Sequence, residues 1–212
     1  MKLVKVAETL AESVLAAEIP RRWIHVQAVA RKADHLSRFL SGPTDRSVLV
    51  AAAWLHDVGY ARKVVDTGFH VLDGARWLRS MDIDERVVAL VAYHSCAIFE
   101  AQERGLEEDL CTEFSDETSP LRDALWFADM TTGPDGQDLG VVERLAEIRS
   151  RYGPDHLVTR FWVRAEPELL AAVRRTEERM VAAGLLADVR IVSVLESVVY
   201  TQSNRRMDRK PV

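Results

Sequence analysis

His56 and Asp57 stand side by side at the end of the apolar run Val48-Leu49-Val50-Ala51-Ala52-Ala53-Trp54-Leu55, and Gly59 follows two residues later. An imidazole and a carboxylate are both metal ligands. Unpaired ionisable groups in an apolar setting cost several kcal/mol, on the order of a whole domain's stability. Such a pair persists where something binds it. The chain offers His25, His70, His94 and Asp129 as partners.

Helical elements must position these residues. Each residue of a helix turns by about 100°, so positions three, four, seven and eleven apart share a face. His25 falls on the stripe of Val29, Ala33, Leu36 and Leu40. His70 falls with Gly74, Trp77 and Met81, and His94 with Ile83, Val87, Leu90 and Val91. Asp129 falls with Leu121, Leu125 and Ala128. Each stripe points inward. Taken singly, an inward histidine is an ordinary core residue. Inward imidazoles and carboxylates gathered from five helices are what a buried metal site requires. His35 lies off the stripe of His25 and reads as a surface residue. His156 follows Gly153-Pro154 and has no evident partner.

Ala, Leu, Glu and Arg dominate the periodic segments and β-branched alternation is scarce, so an all-α chain is expected. The spacing predicts helices over 3–18, 21–41, 44–57, 69–81, 83–94, 119–131, 137–151 and 158–184, with Thr44 or Asp45 capping the third. The acidic stretch 95–118 reads as a partly helical surface excursion. Val189–Tyr200 fits either helix or strand, and Arg205–Lys210 reads as a frayed tail.

The chain has 212 residues, of which 48% are hydrophobic and 29% charged. One domain over 1–212 is expected: a core at about 20–135, an N-terminal helix over 1–19 and a C-terminal helical extension over 137–212. The net charge of -5 argues against nucleic-acid binding through bulk charge. No apolar stretch approaches the roughly 20 residues of a membrane span. Glu8 and Glu12 break any secretory signal near the N-terminus. Two cysteines, Cys96 and Cys111, form neither a CxxC pair nor a disulfide framework, so a cytoplasmic setting is expected. No GxGxxG, Walker-type or GxSxG motif occurs. Cys96 reads as a small buried hydrophobe and the five tryptophans as core packing.

The order His25, His56-Asp57, His70, His94, Asp129 resembles the HD superfamily of metal-dependent phosphohydrolases, in its dinuclear subset. The resemblance covers about 20–135. It implies an all-α HD-domain bundle, here with added N- and C-terminal helices. It implies divalent metal, two ions of iron or manganese, with magnesium, cobalt or nickel also compatible. His25, His56, Asp57 and Asp129 would hold the first ion, Asp57 would bridge, and His70 and His94 would hold the second. The expected activity is hydrolysis of a small phosphate ester such as a nucleotide, through a metal-activated water. Relatives often carry a Lys after the glycine; here Gly59 is followed by Tyr60-Ala61-Arg62-Lys63. Arg62 and Lys63 are the expected transition-state cations, beside Asp57 in the catalytic set. One alternative is a mixed-valence di-iron oxygenase, which shares the same ligands. Another is a noncatalytic metal-stabilised signalling or binding module, with the basic tail engaging a partner. A homodimer is compatible with either.

Overall fold

A computed structural model of the chain describes residues 2–185. The ambiguous segment 189–200, the basic tail and the end of the C-terminal extension lie outside the described residues. Among those described, ten α-helices and three 3₁₀ turns carry the regular structure.

Helix α1 (Lys2–Leu15) buries Ala7, Ala11, Val14 and Leu15, an apolar stripe at helical spacing. Helix α2 (Pro20–Leu36) starts with proline at its first turn, where a missing N–H costs nothing. Helix α3 (Pro43–Leu55) starts the same way. Its cap is Gly42 and no side chain caps it, unlike the expected Thr44 or Asp45. The fixed φ of Pro43 takes the first helical position, which moves the cap two residues earlier than Thr44. Asp45 instead accepts from Arg86 at 2.8 Å.

Helices α4 (His70–Ser80) and α5 (Glu85–Ala92) follow, the latter capped by the Asp84 side chain on the N–H of Arg86. Met81 falls beyond the end of α4 and is exposed, so the inward stripe stops at Trp77. The acidic stretch is more ordered than expected. It forms α6 (Ala97–Arg104) and α7 (Glu107–Glu113), and Ala101, Leu110 and Phe114 are buried in the core. Burial of every fourth residue fixes these helices despite their charge.

Helix α8 (Pro120–Met130) is capped by Ser119, whose hydroxyl accepts from the N–H of Arg122. Helix α9 (Val141–Tyr152) begins later than the expected 137. Residues 132–138 instead fold back on themselves, with Thr132 bridged to Asp138 and the N–H of Gly133 on Gln137 O. Helix α10 (Leu157–Ala182) closes the described chain.

Two helices are buried nearly all round. Val48 to Ala53 and Leu55 are buried on α3, and every residue from Leu121 to Met130 is buried on α8. Helices apolar on all sides belong in the centre of a bundle. Helix α3 packs against α1, α2, α5 and α8; α8 also packs against α2 and α10. One continuous buried cluster runs from Ala7 to Met180. The architecture is an all-α bundle, and both central helices end at the same place inside it. No described helix is long and apolar enough to cross a membrane.

Candidate metal centre

Helix α3 ends at Leu55, so His56 and Asp57 sit where its backbone carbonyls lack partners and the macrodipole is negative. Gly59 then allows a close approach that no other residue permits. A Cβ there would lie 1.8 Å from the backbone oxygen of His70. This contact brings the first residue of α4 against the dyad.

The six residues singled out above converge. His25 Nε2 lies 2.9 Å from Asp129 Oδ1 and 3.8 Å from Asp57 Oδ2. His56 Nε2 lies 3.3 Å from Asp57 Oδ2 and 3.7 Å from Asp129 Oδ1. The other oxygen of Asp57, Oδ1, faces His70 Nε2 at 3.8 Å and His94 Nε2 at 4.0 Å. Ligands about 2.1 Å from one ion stand roughly 3–4 Å from each other, so both spacings suit a cation between the groups. Two ligand clusters result, His25-His56-Asp57 and Asp57-His70-His94.

Three imidazoles are preset for this. His25 Nδ1–H faces the carbonyl of Gly133 at 3.0 Å, His56 Nδ1–H that of Ala53 at 2.8 Å, and His94 Nδ1–H that of Val91 at 2.7 Å. A donor on Nδ1 leaves a bare lone pair on Nε2, the usual arrangement behind metal-binding histidines. His56 Nε2 is buried with no hydrogen-bond partner among the described residues. His70 and His94 bring their Nε2 atoms within 3.2 Å of each other. Orphaned and facing acceptors of this kind fit a metal cation.

Burial and neighbouring charges shift the ionisable groups of the cluster in different directions. Burial and mutual repulsion hold His70 well below the usual imidazole range, and His94 is lowered by burial and by His56. Burial also works against the charged form of His56, but Asp57 and Asp129 outweigh it and push its pKa up to about 9. Burial opposes ionisation of Asp57 as well, and Arg22 with His56 more than offsets it, so the carboxyl stays well below its usual range. Arg22 donates to Asp57 Oδ2 at 2.8 Å and lies 4.1 Å over the ring of Tyr60. Tyr60 in turn stacks on His70 at 4.2 Å.

His94 is not on a regular helix as expected. Helix α5 stops at Ala92, and His94 opens a 3₁₀ turn in which Ser95 and Cys96 both adopt left-handed backbone angles, φ 48° and 60°. The turn aims the Ser95 hydroxyl at Asp129 Oδ2, leaving Oδ1 toward His25 and His56.

A cavity of about 260 Å³ opens onto these groups, and Asp57, His70, His94 and Asp129 line it. Arg62 and Lys63 do not. The Arg62 side chain is 92% exposed near Glu18, and Lys63 lies exposed over Trp77. The chain turns outward after Ala61, so adjacency to the dyad does not bring them to it. The cavity's cations are instead Arg22, Arg104, Arg144 and Arg151. Sequence reading missed all four. The signal for Arg22 was its place one helical turn before His25; for Arg144 and Arg151 it was their seven-residue spacing. His156 caps α10 through its ring nitrogen, stacks on Tyr152 and lines the cavity, as does Trp162. His35 is half-buried rather than a surface residue, wedged where α2 ends.

Residues 22–121 match the family model described as HD domain. This stretch, a little under half of the chain, is similar to the HD domain. Asp129 and all of α9 and α10 lie beyond the match. A curated relative, a tRNA (cytidine(56)-2'-O)-methyltransferase of Picrophilus torridus, is 35% identical over 85 residues, or 39% of this chain and 24% of that protein. The chain thus spans about a quarter of that relative's length. No solved structure matches it.

Proposed function

We propose that the protein is a metal-dependent phosphohydrolase acting on a small phosphate ester, a nucleotide by preference. The observation that carries this reading is the cavity itself, where four arginines share the lining with a His/Asp cluster suited to cations. Guanidinium groups are planar donor forks that match phosphate oxygens. Tyr152, Phe161 and Trp162 line the same cavity and suit the flat ring of a base.

In this reading His25, His56, Asp57 and Asp129 hold one ion, and Asp57, His70 and His94 hold the second. When bound, the pair supplies an acidified water and positive charge for phosphoryl oxygens. The remaining work falls to the chain. Gly133, Ala53 and Val91 fix the imidazole tautomers through their carbonyls. Ser95 orients Asp129. Arg22 sits on Asp57 and is the nearest guanidinium for a phosphate, the role that sequence assigned to Arg62 and Lys63. The apolar lining of Val71, Met130 and Ile148 limits bulk water.

The test is phosphate release from a panel of nucleotides and phosphomonoesters by protein loaded with Mn²⁺ or Fe²⁺. Turnover of at least one member that persists anaerobically with Mn²⁺ supports the hydrolase. Absence of turnover across the panel by fully metallated protein overturns it.

A further inference from the structure

Helices α9 and α10 supply a cavity wall that lies outside the HD match, and that wall holds an unsatisfied cation. The Arg144 side chain is 8% exposed. Its terminal nitrogen pairs with Glu147, but its Nε is buried with no partner among the described residues. A buried N–H without an acceptor is unfavourable, so such a donor is poised for an incoming acceptor. Arg151 lies two turns further along the same face of α9 and lines the same cavity. It donates to the same carboxylate, with Nε 3.1 Å from Glu147 Oε1 and a terminal nitrogen 2.6 Å from Oε2. Two guanidinium groups thus share one carboxylate, which leaves net positive charge and idle donors at the wall. No hydrogen bond ties either arginine to the His/Asp cluster among the described residues.

We propose that Arg144 and Arg151 form a second anion subsite, which takes a phosphoryl-type group of the substrate other than the one being cleaved. Glu147 acts as the internal counter-ion that holds both guanidinium groups until that group arrives. The substrate class is then a compound with two anionic groups rather than a simple phosphomonoester. The word substrate rests on the phosphohydrolase reading; the subsite does not, and it can be measured without metal.

The full chain, stripped of metal with a chelator, is titrated calorimetrically with inorganic pyrophosphate at low ionic strength. Wild-type protein is expected to bind, and Arg144→Gln to bind at least tenfold more weakly, since a charge-assisted hydrogen bond is lost. Arg151→Gln gives a smaller loss, and decides the matter if Arg144→Gln does not fold. Glu147→Gln is expected to bind severalfold more tightly, an outcome that a merely structural ion pair would not produce. Failure of wild type to bind, or equal affinities for wild type, Arg151→Gln and Glu147→Gln, overturns the subsite. If the metallated enzyme also turns over, Arg151→Gln should raise KM for a bisphosphorylated substrate severalfold more than that for p-nitrophenyl phosphate. Equal KM effects on both would overturn the assignment of the second group. A protein that binds pyrophosphate through these residues but hydrolyses nothing would refute the enzyme reading and leave the subsite standing.

Discussion

Asp123 and Asp129 stand in the first and last turns of α8, and both are buried. Their surroundings differ in one respect. Asp123 is met by two guanidinium groups, a fork from Arg175 at 2.7 and 2.9 Å and a third bond from Arg179 at 2.8 Å. These hydrogen bonds outweigh the cost of burial and keep its carboxyl below the usual range. Asp129 is met by His25 and Ser95, with His56 close by. A guanidinium is always charged, so Asp123 is a permanent clasp between α8 and α10. An imidazole can give up its proton, so the carboxylates beside it can exchange a proton's charge for a metal's. Burial alone therefore does not distinguish Asp123 from Asp129; the groups that stand around each carboxylate do.

The sharpest way to break this contrast is Asp57→Ala. It should abolish stoichiometric metal binding and lower turnover by more than about 10³-fold, read by elemental analysis and phosphate release, while far-ultraviolet circular dichroism stays near wild type. Full metal content in that variant would sink the assignment of Asp57. Asp123→Ala should do the reverse. It strands two guanidinium groups on α10 and should cost about 3 kcal/mol or more in denaturant unfolding, with metal per folded chain unchanged.

Asp73 sharpens the picture with a third kind of partner. Its carboxylate accepts from the N–H groups of Asp66, Thr67 and Gly68 and from the Thr67 hydroxyl, which fixes the loop before His70. Asparagine has one acceptor oxygen, so Asp73→Asn should cost about 2 kcal/mol. It should weaken metal uptake only in the cluster containing His70, seen as one tight and one weakened binding step.

Glu177 has no salt-bridge partner among the described residues. Burial, with Glu178 nearby, pushes its pKa up to about 7 from 4.5. Below about pH 4.5 it is neutral whether folded or unfolded and contributes nothing. As pH rises toward 7 the unfolded chain ionises first, so stability is lost across that window. Glu177→Gln should be neutral at pH 4 and more stable than wild type by about 2 kcal/mol at pH 8. Equal stabilities at pH 8 would remove Glu177 from the comparison.

Much of the His/Asp cluster was legible because helix periodicity carries inward direction. His56 and Asp129 lie at the ends of strongly apolar helices and His25 lies on the apolar stripe of an amphipathic one, and that pattern alone pointed all three inward. The exclusion of His35 from the core went too far, since half-burial at a helix end leaves little trace in spacing. The arginines were illegible for a different reason. A charged residue on an amphipathic helix reads as solvated, and only packing of α9 and α10 against the cluster puts Arg144 inside. Arg62 and Lys63 misled because nearness in sequence across a turn says little about direction. Asp123 and Asp129 share the same apolar helix, and no local pattern tells which arginines on α10 will reach back to the first.

The two left-handed residues after His94 carry a cost of their own. Side chains with a Cβ lose roughly 1–2 kcal/mol each in that conformation, and the surrounding core must supply it. Glycine at position 95 would relax the backbone, yet it would remove the hydroxyl that holds Asp129 and free the loop to swing. The chain thus trades ease of folding for a stiff elbow, and a variant with glycine there should survive heating better than its parent while gripping cations less selectively.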